Sequence, residues 1–89
     1  MDQKQILENI KAKLTLVPHK PGCYQMKNNQ NEIIYVGKAK DLHKRLRSYF
    51  SGSHDAKTTR MLMDVVTFEY IVANSEVEAF LLELNYIKE

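Results

Sequence analysis

The run Asn28-Asn29-Gln30-Asn31 constrains this chain more than any other stretch. Four consecutive carboxamide side chains have nothing to bury, and Asn accepts the conformations that a chain reversal needs, so the run reads as a turn. On one side lies Cys23-Tyr24-Gln25-Met26-Lys27, entered through the turn signal Pro21-Gly22. On the other lies Ile33-Ile34-Tyr35-Val36, β-branched and aromatic, which Gly37 is expected to stop. Two short strands around a polar turn form an antiparallel hairpin. With the loop centred on Asn29-Gln30, Tyr24 is expected opposite Tyr35 and Met26 opposite Ile33. The strand period of two then sets both phenols on one face.

The remaining elements follow from periodicity. Ile6, Leu7, Ile10, Leu14 and Val17 recur at helical spacing over about residues 2–16, and Pro18 and Pro21 close that helix. Leu42, Leu46, Tyr49 and Phe50 mark a second helix over 41–50, which Ser51-Gly52-Ser53 breaks. Asp55 is placed to cap a third, roughly 55–65, carrying Met61, Leu62 and Val65. Thr67–Val72 alternates as a strand, with Phe68, Tyr70 and Val72 on one face. Ser75 with Glu78 three residues on has capping-box spacing, so a last helix is expected from about 76 to the end. At 89 residues this is one α/β domain with little chain to spare. Its 44% apolar and 27% charged residues are ordinary for a soluble globular protein. The single Cys23 excludes an internal disulfide, and a reducing compartment fits best. No run reaches the length of a membrane span, and Met1-Asp2-Gln3-Lys4-Gln5 lacks the features of a secretory signal. The net charge of +2 implies nothing alone, but its distribution does.

From Lys38 to Arg47 five cations (Lys38, Lys40, Lys44, Arg45, Arg47) face one acid, Asp41. Such a stretch is either a solvated surface or a phosphate-binding face, and the Tyr24–Tyr35 pair is either packing or chemistry. Gly37, between the two features, lets backbone approach a ligand closely. Arg45 and Tyr49 share a helix face at i, i+4. Cations neutralise phosphate oxygens and phenols donate to them. The same cations are expected to lower a tyrosine's pKa, and a phenol lowered enough can act as a general base. In the last helix, Glu83 lies between one apolar stripe (Val77, Phe80, Leu81, Leu84, Ile87) and a second, nearly opposite (Ala79, Leu82, Tyr86). Its carboxylate needs either a salt bridge from the basic segment or a hard divalent ion, and spacing does not separate the two. His19, His43, His54 and Cys23 lack zinc-site spacing, and His43 is expected at the surface. Cys23 has no neighbouring base to make it a nucleophile, and no Gly-rich nucleotide loop is present.

Gly22-Cys23-Tyr24 followed by Tyr35-Val36-Gly37 resembles the paired motif of the GIY-YIG endonucleases, with Cys23 and Val36 in place of its two central isoleucines. Lys38-Ala39-Lys40-Asp41-Leu42, Arg45-Leu46-Arg47-Ser48-Tyr49-Phe50 and Glu78-Ala79-Phe80-Leu81-Leu82-Glu83-Leu84-Asn85 extend the likeness. They are similar to the N-terminal domain of the UvrC-type excinucleases, from about Leu7 onward. The resemblance implies a small central three-stranded antiparallel sheet flanked by helices. It implies Tyr35 as general base, Tyr24 and Tyr49 as orienting hydroxyls, and Lys38 and Arg45 as phosphate ligands. Glu83 would be the sole protein ligand of one Mg²⁺ or Mn²⁺ ion. The implied reaction is the 3′-side incision of damaged double-stranded DNA in bacterial nucleotide excision repair, with UvrB delivering the DNA. The implied setting is cytoplasmic, and the chain, as a fragment of a longer protein whose next segment is basic and contains Asn, is expected to be monomeric. Two other readings use the same residues: a non-catalytic DNA-binding module, and an interaction domain that docks a partner on the Ala79 stripe.

Overall fold

The computed structural model describes the backbone of residues 2–87 and their side chains except those of residues 82 and 85–87. The elements run α1 (Gln3–Leu14), β1 (Gly22–Lys27), β2 (Ile33–Ala39), α2 (Leu42–Tyr49), α3 (Ala56–Asp64), β3 (Thr67–Val72) and α4 (Glu76–Ile87). The strands form one sheet in the order β2-β1-β3, antiparallel throughout. Each helix begins where a short polar side chain can satisfy a free backbone N–H. Asp2, Asp41, Asp55 and Ser75 accept from the N–H groups of Gln5, Lys44, Thr58 and Glu78 respectively. Each such cap is worth about 1 kcal/mol.

The central strand β1 is buried on both faces. Tyr24 and Met26 point into a core with Ile10, Leu14, Val17, Leu42, Leu46, Val65 and Phe68, supplied by α1, α2, β3 and the segments just after α1 and α3. Cys23 and Gln25, pointing the other way, are buried where α4 packs across β1 and β2. Ala79, 1% exposed, lets the helix approach closely. Of the stripe read as a docking face, Ala79 therefore packs against the sheet of this chain. Val77, Phe80, Leu81 and Leu84 of the other stripe are exposed. The expectations for Leu82, Tyr86 and Ile87 lie outside the described side chains.

Three hairpin expectations need correction. The Asn28 N–H donates to the Glu32 carbonyl, and Asn31 takes a left-handed conformation at φ 62°. The reversal therefore centres on Gln30, a three-residue loop closed by a left-handed residue. The Asn28 side chain holds it by accepting from the Gln30 and Glu32 N–H groups. A register shift between Met26 and Lys27 adds one more step, so Tyr24 pairs with Gly37 and Met26 with Tyr35. A slip of two residues keeps every side chain on its face, so the phenols stay together, now diagonally. Nor does Gly37 end the strand, which continues to Ala39. The Tyr24 ring lies over Gly37, where any Cβ would collide with the phenol oxygen and Cζ.

Candidate functional site

Tyr24 from β1, Tyr35 from β2 and Tyr49 from the end of α2 form one cluster. Ring centres are 6.2 Å apart for Tyr24–Tyr35, 5.8 Å for Tyr24–Tyr49 and 6.3 Å for Tyr35–Tyr49. The Tyr24 and Tyr49 hydroxyls are hydrogen-bonded at 2.8 Å. Tyr24 is 1% exposed and Tyr35 41%, so Tyr35 is the phenol that meets solvent. Burial, then the hydrogen bond to Tyr49, raises the Tyr24 pKa far above that of a free phenol. Tyr35 is raised as well, first by burial and then by the Tyr49 hydroxyl, with the Glu83 charge adding to the rise. Arg45 acts in the opposite sense and is outweighed.

The expectation that Lys38 and Arg45 together acidify Tyr35 is thus overturned in the free protein. Lys38 has its ammonium 4.3 Å from the centre of the Phe80 ring, a cation–π contact. Partial dehydration of a phenolate costs more than one guanidinium returns.

The basic segment builds a cleft of about 650 Å³ between β2, α2 and the start of α4. Lys38, Lys40, Lys44 and Arg45 line it, with Asp41, Ser48 and Glu76. Arg47 lies outside this lining, and its carbonyl accepts from the Phe50 N–H and the Ser51 hydroxyl to close α2. Gly37 is buried, with the Tyr24 phenol in the space a side chain there would take. Asp41, the acid among the cations, is committed to the Lys44 N–H and to His19, which hold its pKa below the usual carboxylate range. Glu76 pairs with Lys40 at 3.7 Å, both side chains largely exposed.

Glu83 is half-buried, and among the described residues it makes no salt bridge. The salt-bridge alternative read from the sequence is therefore not realised with Arg45 or Lys38. Its charge reaches Tyr35 on β2 and Cys23 on β1. Burial, assisted by Glu83, pushes the Cys23 thiol up to about 11, so it stays protonated and is no nucleophile at neutral pH. No group of three or more His, Cys, Asp or Glu side chains converges on a metal-sized site among the described residues. No described helix is long and apolar enough to cross a membrane.

Sequence reasoning missed the histidines. His43 is partly buried, its ring nitrogen Nδ1 bonded to the Val17 carbonyl at 2.7 Å and its ring 4.3 Å from that of His19. His54 stacks on Tyr49 with ring centres 6.2 Å apart. Both contacts join a loop to a helix, and no spacing in the sequence announces them.

A model of the UvrC-like GIY-YIG domain matches residues 20–89. The GIY-YIG N-terminal endonuclease domain of UvrC from Thermotoga maritima, bound to its catalytic divalent cation magnesium, superposes with a TM-score of 0.77 at 42% identity, covering 99% of this chain and 91% of that one. A mutant of that domain with one asparagine replaced by alanine, bound to its catalytic cation, gives the same TM-score of 0.77 and 42% identity over 99% of this chain and 90% of the other. A tyrosine-to-phenylalanine mutant, also bound to the cation, matches at 41% identity and 0.77, over 99% and 90% of the two chains.

Proposed function

The chain belongs to the UvrC-like GIY-YIG domain family, and on that premise we propose that it is a divalent-metal-dependent DNA endonuclease domain making the 3′-side incision in nucleotide excision repair. The observation that carries the reading is the tyrosine cluster. One solvent-facing phenol is backed by two hydrogen-bonded ones and coupled through Arg45 to a cleft lined by four cations.

Glu83 suits a hard divalent ion. It supplies one carboxylate that makes no salt bridge among the described residues, and Mg²⁺ accepts one or two carboxylates with water and substrate phosphate completing its shell. In the Thermotoga domain the cation is bound even with one tyrosine replaced by phenylalanine or one asparagine by alanine, which fits a site that does not depend on those side chains. A bound Mg²⁺ or Mn²⁺ would stabilise the departing 3′ oxygen and offset the Glu83 charge that raises Tyr35.

The residues of this chain take the remaining roles. Lys38 and Arg45 hold non-bridging oxygens of the scissile phosphate, and Lys40, Lys44 and Arg47 meet neighbouring phosphates along the strand. Tyr49, fixed by its bond to Tyr24, orients the attacking water. Tyr35, once its own proton has been lost to solvent, accepts that water's proton as the phenolate. Its raised pKa means it does so only when positive charge faces it, and Arg45 is the group of this chain that supplies some. Damaged duplex DNA delivered by UvrB, a monomeric domain and a cytoplasmic setting belong to the same reading.

A second reading, a DNA-binding module without cleavage, is favoured by one observation: the Tyr35 phenol is harder, not easier, to ionise than a free one. Nicking of supercoiled plasmid separates them. An enzyme nicks only with Mg²⁺ or Mn²⁺, and Tyr35→Phe, which removes an oxygen and keeps the ring, lowers the rate by a factor on the order of 10². Equal nicking by parent and Tyr35→Phe overturns the base assignment. DNA binding with no metal-dependent nicking in the UvrB-loaded system favours the module.

A further inference from the structure

We propose a second metal site, separate from Glu83, at His19 and His43, beside the cleft that Asp41 lines. The two residues come from different elements, His19 from the segment between α1 and β1 and His43 from the first turn of α2. Backbone bonds bring them together: the Leu42 N–H donates to the Lys20 carbonyl and the His43 N–H to the Pro18 carbonyl. The result is two imidazoles with ring centres 4.3 Å apart and planes inclined by 34°.

The chemistry of their partners fixes both tautomers. The Val17 oxygen, 2.7 Å from His43 Nδ1, is a carbonyl and can only accept, so that nitrogen carries the proton. His19 Nδ1 lies 2.9 and 3.0 Å from the two oxygens of Asp41, a carboxylate held ionised, so it too donates. Each neutral ring is left with its lone pair on Nε2. An imidazole whose Nδ1–H is held by a carboxylate or a backbone carbonyl is the arrangement that orients histidine toward a metal and raises its basicity.

The spacing agrees. Two imidazoles bound through nitrogen to one ion at about 2.0–2.1 Å set their ring centres roughly 4.5 Å apart at adjacent positions of an octahedral or square-planar shell and about 5.2 Å apart in a tetrahedral one, so the 4.3 Å here suits the former. Two neutral nitrogens at adjacent positions, with open positions for water, select Ni²⁺ or Cu²⁺ over tetrahedral Zn²⁺, and leave Mg²⁺ without preference for the pair. Because His19 and His43 sit on separate elements, the ion would staple the α1–β1 segment to the start of α2.

The test is calorimetric titration of the whole chain with Ni²⁺, in millimolar Mg²⁺ to occupy carboxylate sites, paired with thermal melts. The expected result is one Ni²⁺ per chain and a raised melting temperature. His19→Gln and His43→Gln should each weaken Ni²⁺ at least tenfold, and the double variant should lose both the binding and the melting shift. His54→Gln, remote from the pair, should retain both. Far-ultraviolet circular dichroism establishes that each variant is folded. Absence of Ni²⁺ binding by the parent, or binding and a melting shift that survive in the folded double variant, overturns the proposal.

Discussion

Gly37→Ala tests the packing that holds the tyrosine cluster together. The backbone at Gly37 has no special dihedral requirement; the constraint is the Tyr24 ring, whose oxygen and Cζ occupy the place of the new methyl. Tyr24 is 1% exposed and its hydroxyl bonds Tyr49 at 2.8 Å, so the ring cannot swing away without leaving that hydroxyl unpaired. Overpacking of a close-packed site costs about 1–3 kcal/mol. A buried hydroxyl that loses its partner adds about 1–3 kcal/mol. A loss of about 3 kcal/mol in a domain of this size lowers the melting temperature by on the order of 10–20 °C. Thermal melts by circular dichroism measure it, and the nicking rate should fall together with stability because Tyr49 loses its anchor. A melting temperature within about 2 °C of the parent would refute the reasoning. The Tyr24 ring would then have room that the close approach denies it.

Glu83→Gln breaks no salt bridge among the described residues, so stability should change by well under 1 kcal/mol while calorimetric Mn²⁺ binding disappears. A large melting shift with Mn²⁺ still bound would return Glu83 to a structural role. Alkaline unfolding should depend on Tyr24. Its folded pKa lies above the unfolded value of about 10, so the stability it contributes is complete below pH ~10 and is lost as pH rises toward the folded pKa. Tyr24→Phe should flatten that limb in denaturant melts above pH ~10, and an unchanged limb would exclude Tyr24 as its source. Lys40, Lys44 and Arg47 replaced together by Ala should reduce the salt slope of DNA binding, measured by fluorescence anisotropy, by up to about 0.9 for each phosphate deprived of its cation. Replacing Arg47 alone should change it least, because it lies outside the cleft lining.

The parts of the fold that rest on local chemistry were legible in the sequence. Every element was found within a few residues, because Asp41, Asp55 and Ser75 cap helices through hydrogen bonds that span only three residues. The shared face of Tyr24 and Tyr35 was legible too, since strand alternation survives a slip of two residues. What failed depended on packing between distant segments. Asn31 in a left-handed conformation moved the centre of the hairpin, and the true reason for Gly37 is a ring thirteen positions upstream in the chain. Which stripe of α4 meets the sheet was decided by Ala79, a residue whose small size is useful only against a neighbouring surface. The sign of the Tyr35 shift depended on burial, and the resting place of the Lys38 ammonium on Phe80, forty-two positions downstream.

The tyrosine cluster also gives the protein its own optical reporter. The chain has no tryptophan and only five tyrosines, so the near-ultraviolet signal comes largely from phenols, and three of them lie within 6.3 Å of one another, centre to centre. Excitation absorbed by any of the three passes readily among rings this close. A ligand that orders or displaces Tyr35 therefore registers in the intrinsic emission of the unlabelled domain. Occupation of the site can be followed in real time, with no dye, no engineered residue and no turnover.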